Sequence, residues 1–209
     1  MKVGAKIGAV ILASGFSSRM GDRMIRQHSG KNGKVVSKLL IPYRGKALVE
    51  HVMDSAAFAG FSRCFVVTAY EAVAYMSCRR GFDVILNDHP ESGQSRSVVL
   101  GTQAGKDMDG LMFIPGDMPF LTPGIFSEML ETYERHPGHI IRAVYSYGPG
   151  SPALFPSSLY HELETLTGDN GGKTVILKYP EKVFPVKIAD PQAGVDIDTP
   201  EEAGRWLGL

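Results

Sequence analysis

The sequence holds only two cysteines, Cys64 and Cys78, in 209 residues. They make no Cys-x-x-Cys spacing and belong to no Cys/His cluster, which excludes a disulfide scaffold and a zinc-finger type of centre. Net charge is missing too: 22 Lys and Arg balance 22 Asp and Glu. A chain without a basic excess is no nucleic-acid binder held by bulk electrostatics. No apolar run reaches the ~18 residues of a membrane helix. The stretch before the first apolar run, Met1 to Lys6, is too short for a secretory signal. These gaps predict a cytoplasmic protein with neither membrane nor nucleic-acid partner. Two phosphate-binding signatures are absent as well. No G-x-G-x-x-G follows a strand, and Gly30-Lys31-Asn32-Gly33-Lys34 has the wrong glycine spacing for a Walker A loop, with no Ser/Thr after its lysine. His89, His136 and His161 lack metal-ligand spacing and read as surface residues.

What is present is ordinary globular material, 44% hydrophobic and 21% charged. A chain of this length suits one domain, 1–209, and buries about 70% of its unfolded surface. Short continuous apolar runs recur at Ile7–Leu12, Cys64–Thr68, Phe82–Leu86, Leu111–Ile114 and Ile140–Val144. Such runs suit strands covered on both faces, as in a parallel sheet. Helical patterns lie between them, over Ala47–Ala59, Gln94–Ala104 and from Thr122-Pro123 onward, where Thr122 is placed as an N-cap. The alternation predicts a doubly wound α/β domain with a mostly parallel, Rossmann-like sheet. Further on, Ser157–Leu166 reads as helix, 168–172 as loop, Lys182–Ile188 as strand and Thr199-Pro200 as the start of a last helix. The polar, basic stretch 22–37 reads as an inserted loop or short hairpin around Asn32-Gly33.

Four motifs carry chemistry. Leu12-Ala13-Ser14-Gly15-Phe16-Ser17-Ser18-Arg19-Met20-Gly21 follows the first strand directly. Its small residues let backbone N–H groups approach phosphate oxygens, and Arg19 adds a bidentate cation. An ordinary small-residue β–α turn has the same look. Lys38 precedes an apolar run and gains meaning only beside such a loop. Asp117, in Ile114-Pro115-Gly116-Asp117-Met118-Pro119, lies past a buried strand at the carboxyl edge of the sheet, where α/β domains bind ligands; the alternative is an Asp-initiated turn. Asp196 and Asp198 alternate before a Thr199/Glu202 capping box, so both face one side of an extended segment. With Asp117 they can complete a site for Mg²⁺ shared with phosphates. Asn87 to Ser97 is a polar loop entering a helix, suited to reading a base. Gly150 to Phe155 and Gly168 to Lys173 suit the flanks of a second substrate.

In order and spacing, from Leu12 to Glu202, these motifs resemble the MobA-like NTP transferases, with the molybdenum-cofactor cytidylyltransferases most alike. The resemblance implies a nucleotide-diphospho-sugar-transferase-like fold and a Mg²⁺-dependent enzyme. Its reaction would move a nucleoside monophosphate from an NTP, CTP favoured, onto a phosphate-bearing acceptor such as molybdopterin, with release of pyrophosphate. It places Leu12, Ala13, Ser14, Gly15, Arg19, Lys38, Gly93, Ser97 and Asp117 around the nucleotide, and gives Arg19, Lys38 and Asp117 the catalytic roles. Asp117 with Asp196 or Asp198 would be the metal ligands, and Ser95, Gly150, Pro152, Asp169 and Lys173 the acceptor-binding residues. Three departures stand out. Sixteen residues, 22–37, separate Gly21 from Lys38, where the family has few, so Lys31 or Lys34 competes for the role of phosphate lysine. Ser14 replaces the usual alanine or glycine, and Lys173 stands where arginine is common. Another organic or sugar phosphate as acceptor, or a non-catalytic nucleotide-binding accessory of molybdoenzyme maturation, are the alternatives.

Overall fold

In the computed structural model, residues 4–15 and 37–208 are described. Nine strands are assigned among them: β1 (Ile7–Ala13), β2 (Pro42–Tyr43), β3 (Lys46–Ala47), β4 (Arg63–Thr68), β5 (Asp83–Leu86), β6 (Gly110–Pro115), β7 (Ile140–Tyr145), β8 (Gly148–Pro156) and β9 (Val183–Lys187). Seven make one sheet in the order β5-β4-β1-β6-β8-β7-β9, while β2 and β3 form a two-residue hairpin. All neighbours in the large sheet pair parallel except β8, which runs antiparallel to β6 and β7. The helices are α1 (Leu48–Ala57), α2 (Glu71–Cys78), α3 (Gln94–Ala104), α4 (Pro123–Arg135), α5 (Tyr160–Glu164), α6 (Gly172–Lys178) and α7 (Pro200–Leu207).

Period-two alternation along β1 sorts the core. Ile7, Ala9, Ile11 and Ala13 face one cluster with Val49, Val52 and Met53 of α1, Val73 of α2 and Phe126, Met129 and Tyr133 of α4. Val10 and Leu12 face the other, with Val98 of α3, Leu163 of α5, and Val175 and Ile176 of α6. Helices therefore cover both faces, as the buried apolar runs predicted. The carboxyl ends of β1, β4 and β6 fall level, with Leu12 opposite both Val67 and Pro115. That shared edge is where the motifs emerge.

Some local readings needed correction. Thr122 occupies the N-cap of α4, but its side chain makes no capping bond. Gly150 to Phe155, placed at the flank of a second substrate with no element assigned to it, lies within the nine-residue β8. Its start, Gly148 to Pro152, carries turn residues, and a continuous apolar run begins only at Ala153. Helices α2 and α6 were not predicted, since eight and seven residues give little helical period to read. Cys64 and Cys78 are both free, and burial pushes the Cys64 thiol up to about 12.

A charged network ties α1 to the turn after α2. Arg80 donates to Asp54 at 2.8 Å and to Glu50 at 2.9 Å, and Lys46 donates to Asp54 at 2.6 Å. Burial opposes both carboxylate charges, but the Ala47 N–H with Arg80 on Glu50, and Lys46 with Arg80 on Asp54, outweigh it and hold both carboxyls below their ordinary range. A depressed folded pKa contributes stability above the unfolded pKa and loses it as pH falls through the folded one. Arg80→Met is expected to cost about 1–2 kcal/mol near neutral pH. That difference should shrink as pH falls below about 4.5, the ordinary glutamate value. Urea unfolding of both proteins across this pH range checks the sign.

Candidate functional site at the carboxyl edge of the sheet

The loop leaving β1 is held from β4. Thr68 Oγ1 donates to the Ala13 carbonyl at 3.0 Å, Ser14 Oγ donates to the Val67 carbonyl at 3.1 Å, and the Tyr70 hydroxyl donates to the Gly15 carbonyl at 2.9 Å. Ser14 is buried. Its hydroxyl is spent on the sheet, so this departure from alanine or glycine serves the loop's anchorage. On the other side the Gly116 N–H donates to the Leu12 carbonyl at 2.9 Å, and a Cβ on Gly116 would stand 3.0 Å from that oxygen. Only a small residue lets β6 hand its chain over so closely to β1.

Lys38 enters from a short 3-10 turn, Lys38–Leu40, capped by Ser37, whose hydroxyl accepts the Leu39 N–H at 3.3 Å. Leu39 is buried in the core and anchors the turn. The C-terminal segment reaches the same place because the buried Ile197 donates its N–H to the Asp117 carbonyl at 3.0 Å. Glu202 then accepts the N–H groups of Asp198 and Thr199 at 2.8 and 2.9 Å, completing the capping box of α7 and fixing Asp198.

These anchors converge on one ammonium. Lys38 Nζ donates to Asp117 Oδ2 at 2.6 Å and also to Asp198 Oδ1. Lys38 is only 8% exposed. Burial disfavours its charge, but Asp117 and Asp198 outweigh burial and raise its pKa above the ordinary 10.5, so it is an ammonium at neutral pH. Asp117 Oδ1 is buried without a hydrogen-bond partner. Asp196 lies near the pair without sharing the lysine: partial burial, then the charge of Asp117, then that of Asp198, pushes its carboxyl upward. Of the two alternating aspartates, Asp198 therefore joins Asp117 directly. Among the described residues no group of three or more His, Cys, Asp or Glu side chains is arranged to hold a metal. The carboxylates offered are a pair, and Mg²⁺ commonly takes one or two carboxylates and completes its shell with water and phosphates. A partnerless buried oxygen on Asp117 fits that use.

The pair lies in a cleft of about 430 Å³. Its β1 wall is Leu12, Ser14 and Gly15; Gly93, Gln94 and Ser97 face it from the start of α3, and Asp169 closes one side. Gly93 has φ +88°, and a Cβ there would meet the Gly168 backbone at 2.5 Å and Asp169 at 2.6 Å. The Ser95 N–H donates to the Gly168 carbonyl at 3.1 Å, stitching the same two loops. Asn87, buried, donates to Ser97 at 3.2 Å and accepts the His89 N–H at 3.1 Å, fixing the entry to α3.

Of the residues singled out in the sequence, Leu12, Ser14, Gly15, Lys38, Gly93, Ser97, Asp117, Asp169 and Asp198 line this cleft. Ala13 and Ser95 are buried beneath it. Gly150 and Pro152, in β8, and the exposed Lys173 are not among its walls. Arg19, with Lys31, Lys34 and nearly all of the 22–37 stretch, lies outside the described residues. Glu91, Gln94, Leu39, Pro90 and Pro115 line the cleft without having been named individually. Glu91 had a signal, since it sits in the polar 87–97 loop; nothing in the sequence pointed Leu39 or Pro115 inward. The described walls carry four carboxylates, Glu91, Asp117, Asp169 and Asp198, against the single ammonium of Lys38. Such a cleft suits an anion that arrives with its own cation.

This sheet order, with its carboxyl-edge cleft, is the nucleotidyltransferase architecture of the nucleotide-diphospho-sugar transferase fold. The chain belongs to the family of the MobA-like NTP transferase domain, whose profile matches residues 9–183. It is 25% identical to nicotine blue oxidoreductase of Paenarthrobacter nicotinovorans, over 96% of each chain. It is 31% identical to an 8-amino-3,8-dideoxy-manno-octulosonate cytidylyltransferase of Shewanella sp. (strain ANA-3), over 53% of this chain and 46% of that one. The chain thus spans about half the length of that relative. A crystal structure of Rv0371c from Mycobacterium tuberculosis shares the fold, with a TM-score of 0.80 at 24% identity over 98% of this chain and 99% of that one. A second structure of that protein is a complex with manganese.

Gly93→Ala tests the wall between the two loops. The backbone at φ +88° suits glycine alone, so the substitution is expected to destabilise by about 2–3 kcal/mol and to weaken nucleotide binding. Thermal unfolding and equilibrium dialysis of CTP report the two effects; unchanged binding would detach Gly93 from the cleft's function.

Proposed function

We propose that this chain is a cytoplasmic, Mg²⁺-dependent nucleotidyltransferase that moves a nucleoside monophosphate, CMP by preference, from an NTP onto a phosphate-bearing acceptor of the molybdopterin type. One observation carries the reading: Lys38 bridges Asp117 and Asp198 at the carboxyl edge of the sheet, on a cleft rimmed by the β1 loop and Gly93. A lysine and two acids brought together from positions 38, 117 and 198 serve no local structural need of any one element. The manganese complex of the structurally similar Mycobacterium tuberculosis protein supports divalent-metal use on this fold. The cytidylyltransferase relative supports the preference for CTP.

In this reading the acceptor's phosphate oxygen attacks the α-phosphorus in line. A new P–O bond forms, the bond to the β-phosphate oxygen breaks, and pyrophosphate leaves. A phosphate nucleophile is already ionised near neutral pH, so the protein's work is alignment and charge neutralisation. Lys38 contributes a fixed positive charge to the triphosphate, and Arg19, four positions beyond Gly15 in the sequence, is proposed to join it. The Gly15 backbone and Ser97 border the phosphates, while Gly93 and Gln94 border the base. Asp117 and Asp198 hold the metal, which when bound neutralises phosphate charge. Ser95, Gly150, Pro152, Asp169 and Lys173 belong to the acceptor side, with Asp169 between the two substrates.

A second acceptor class has a specific observation behind it: the 31% identical relative is a cytidylyltransferase for a sugar acid. The end-to-end similarity to an oxidoreductase adds a redox outcome to the test. The protein is incubated with each of four NTPs, Mg²⁺, and either molybdopterin or a sugar-acid panel, and products are read by mass and pyrophosphate release. A parallel arm follows redox conversion of nicotine blue, the compound in that relative's name. A cytidylyl adduct supports the reading; redox turnover without any nucleotidyl product overturns it. Asp117→Asn is expected to lower kcat by roughly 100- to 1000-fold with an unchanged circular dichroism spectrum. Full activity in that variant would remove Asp117 from the mechanism.

A further inference from the structure

One hydroxyl on the cleft wall has the direction of its proton decided by a buried neighbour. Asn87 directly follows β5, and its N–H donates to the Thr68 carbonyl at 2.8 Å. Thr68 in turn holds the Ala13 carbonyl, so Asn87 is tied to the same sheet edge as the β1 loop. The Asn87 side chain, 3% exposed, has a single orientation open to it. Its Oδ1 accepts the His89 N–H at 3.1 Å, and a backbone N–H can only donate. The amide Nδ2 therefore faces Ser97 Oγ, at 3.2 Å, and Nδ2 also can only donate. Ser97 Oγ must accept that bond, which leaves its own proton to give elsewhere. Hydroxyls in helices often spend that proton on the carbonyl four residues back. Ser77, Thr102 and Thr132 do so, at 2.7, 2.8 and 2.7 Å. Ser97 makes no such bond, and its hydroxyl donates to no group of the described residues. Ser97 is only 5% exposed, yet it lines the cleft. A buried donor with no acceptor in the protein is costly, and an oxygen of a bound ligand supplies the acceptor.

We propose that Asn87 is a positioning residue that fixes Ser97 as a donor toward the cleft, so that the nucleotide must present an acceptor oxygen at that wall. Asn87 touches no reacting atom; it acts through Ser97. The oxygen belongs to a phosphate or to the keto group of the base, and either takes the same proton. A hydroxyl free to rotate would serve donor and acceptor groups alike, and the Asn87 amide removes that freedom. A ligand group that itself donates, such as an amine, leaves the Ser97 proton unpaired, which is how a polar wall rejects a ligand. The inference rests on the nucleotidyltransferase reading for its ligand, and on the hydrogen bonds alone for the direction of the proton.

Asn87→Asp keeps the shape and reverses the bond. One carboxylate oxygen still accepts the His89 N–H, while the other accepts the Ser97 proton and turns it away from the cleft. Affinity for CTP with Mg²⁺, read by equilibrium dialysis, should fall roughly 10-fold. Ser97→Ala deletes the proton outright and should weaken CTP by a similar, roughly 10-fold factor. The double variant should lose far less than the product of the two, because both act on one proton. Losses that multiply would mean that Asn87→Asp acts only through its added charge, and would overturn the positioning role. The same variants are titrated with inorganic tripolyphosphate and with cytidine. A loss with tripolyphosphate assigns the proton to a phosphate oxygen, a loss with cytidine assigns it to the base, and a loss with neither overturns the inference. Should Asn87→Asp fail to fold, a crystal structure of the wild type with CTP decides. A nucleotide oxygen within hydrogen-bond distance of Ser97 Oγ, with Asn87 still bonded to it, is expected; the cytosine amine in that place contradicts the proposal. If the wild type binds no NTP, the nucleotidyltransferase reading fails and takes the ligand with it. If the wild type binds CTP and Ser97→Ala binds it equally, that reading stands and the role of Asn87 alone fails.

Discussion

The ammonium of Lys38 holds together two carboxylates that would otherwise repel each other at the edge of the sheet. Asp117 arrives at the end of β6 and Asp198 just before α7, from 81 positions further along the chain. Like charges placed this close and partly buried repel each other unless a cation is shared between them. In the structure a lysine fills that place. The packing around it serves this convergence: Leu39 in the core, Ile197 bonded to the Asp117 carbonyl, and Glu202 capping α7 behind Asp198. Breaking such a pair from one side leaves an uncompensated carboxylate, which is costlier than the pair itself is stabilising.

The same convergence gives the site its chemical character. A cleft with four carboxylates and one ammonium along its described walls is hostile to a bare triphosphate. In the proposed reading Asp117 and Asp198 would hold a divalent ion that arrives with the nucleotide, and the ion would neutralise phosphate charge. Lys38, a flexible side chain with a compact charge, would then be within a short swing of the phosphates. One residue would thus play counter-ion before binding and phosphate ligand after it. The partnerless Oδ1 of Asp117 is the atom already waiting for a bond.

Much of the fold was legible because its central strands are buried and read as apolar runs; β1, β4, β5, β6 and β7 emerged that way, and β9 was read as a strand from Lys182–Ile188. β8 did not, since its first half, Gly148 to Pro152, carries turn residues, and its antiparallel place between β6 and β7 has no local signature. Of the site, Lys38, Asp117 and Asp198 were legible as motifs, but their meeting was not. Spacing put Asp196 and Asp198 on one side of an extended segment without choosing between them. The choice comes from tertiary contacts, through Ile197 on Asp117 and Glu202 on Asp198. Of the residues singled out from motif and resemblance, Gly93 and Asp169 line the cleft, while Gly150, Pro152 and Lys173, proposed for the acceptor side, are not among its walls.

The most direct test is a crystal structure of the chain with CTP and Mn²⁺, located by anomalous scattering. The expected map has manganese between Asp117 and Asp198, with the Lys38 ammonium moved off the carboxylates and onto a phosphate oxygen. A manganese peak elsewhere, with Lys38 still bridging the two aspartates beside a bound nucleotide, would contradict the role given to this pair.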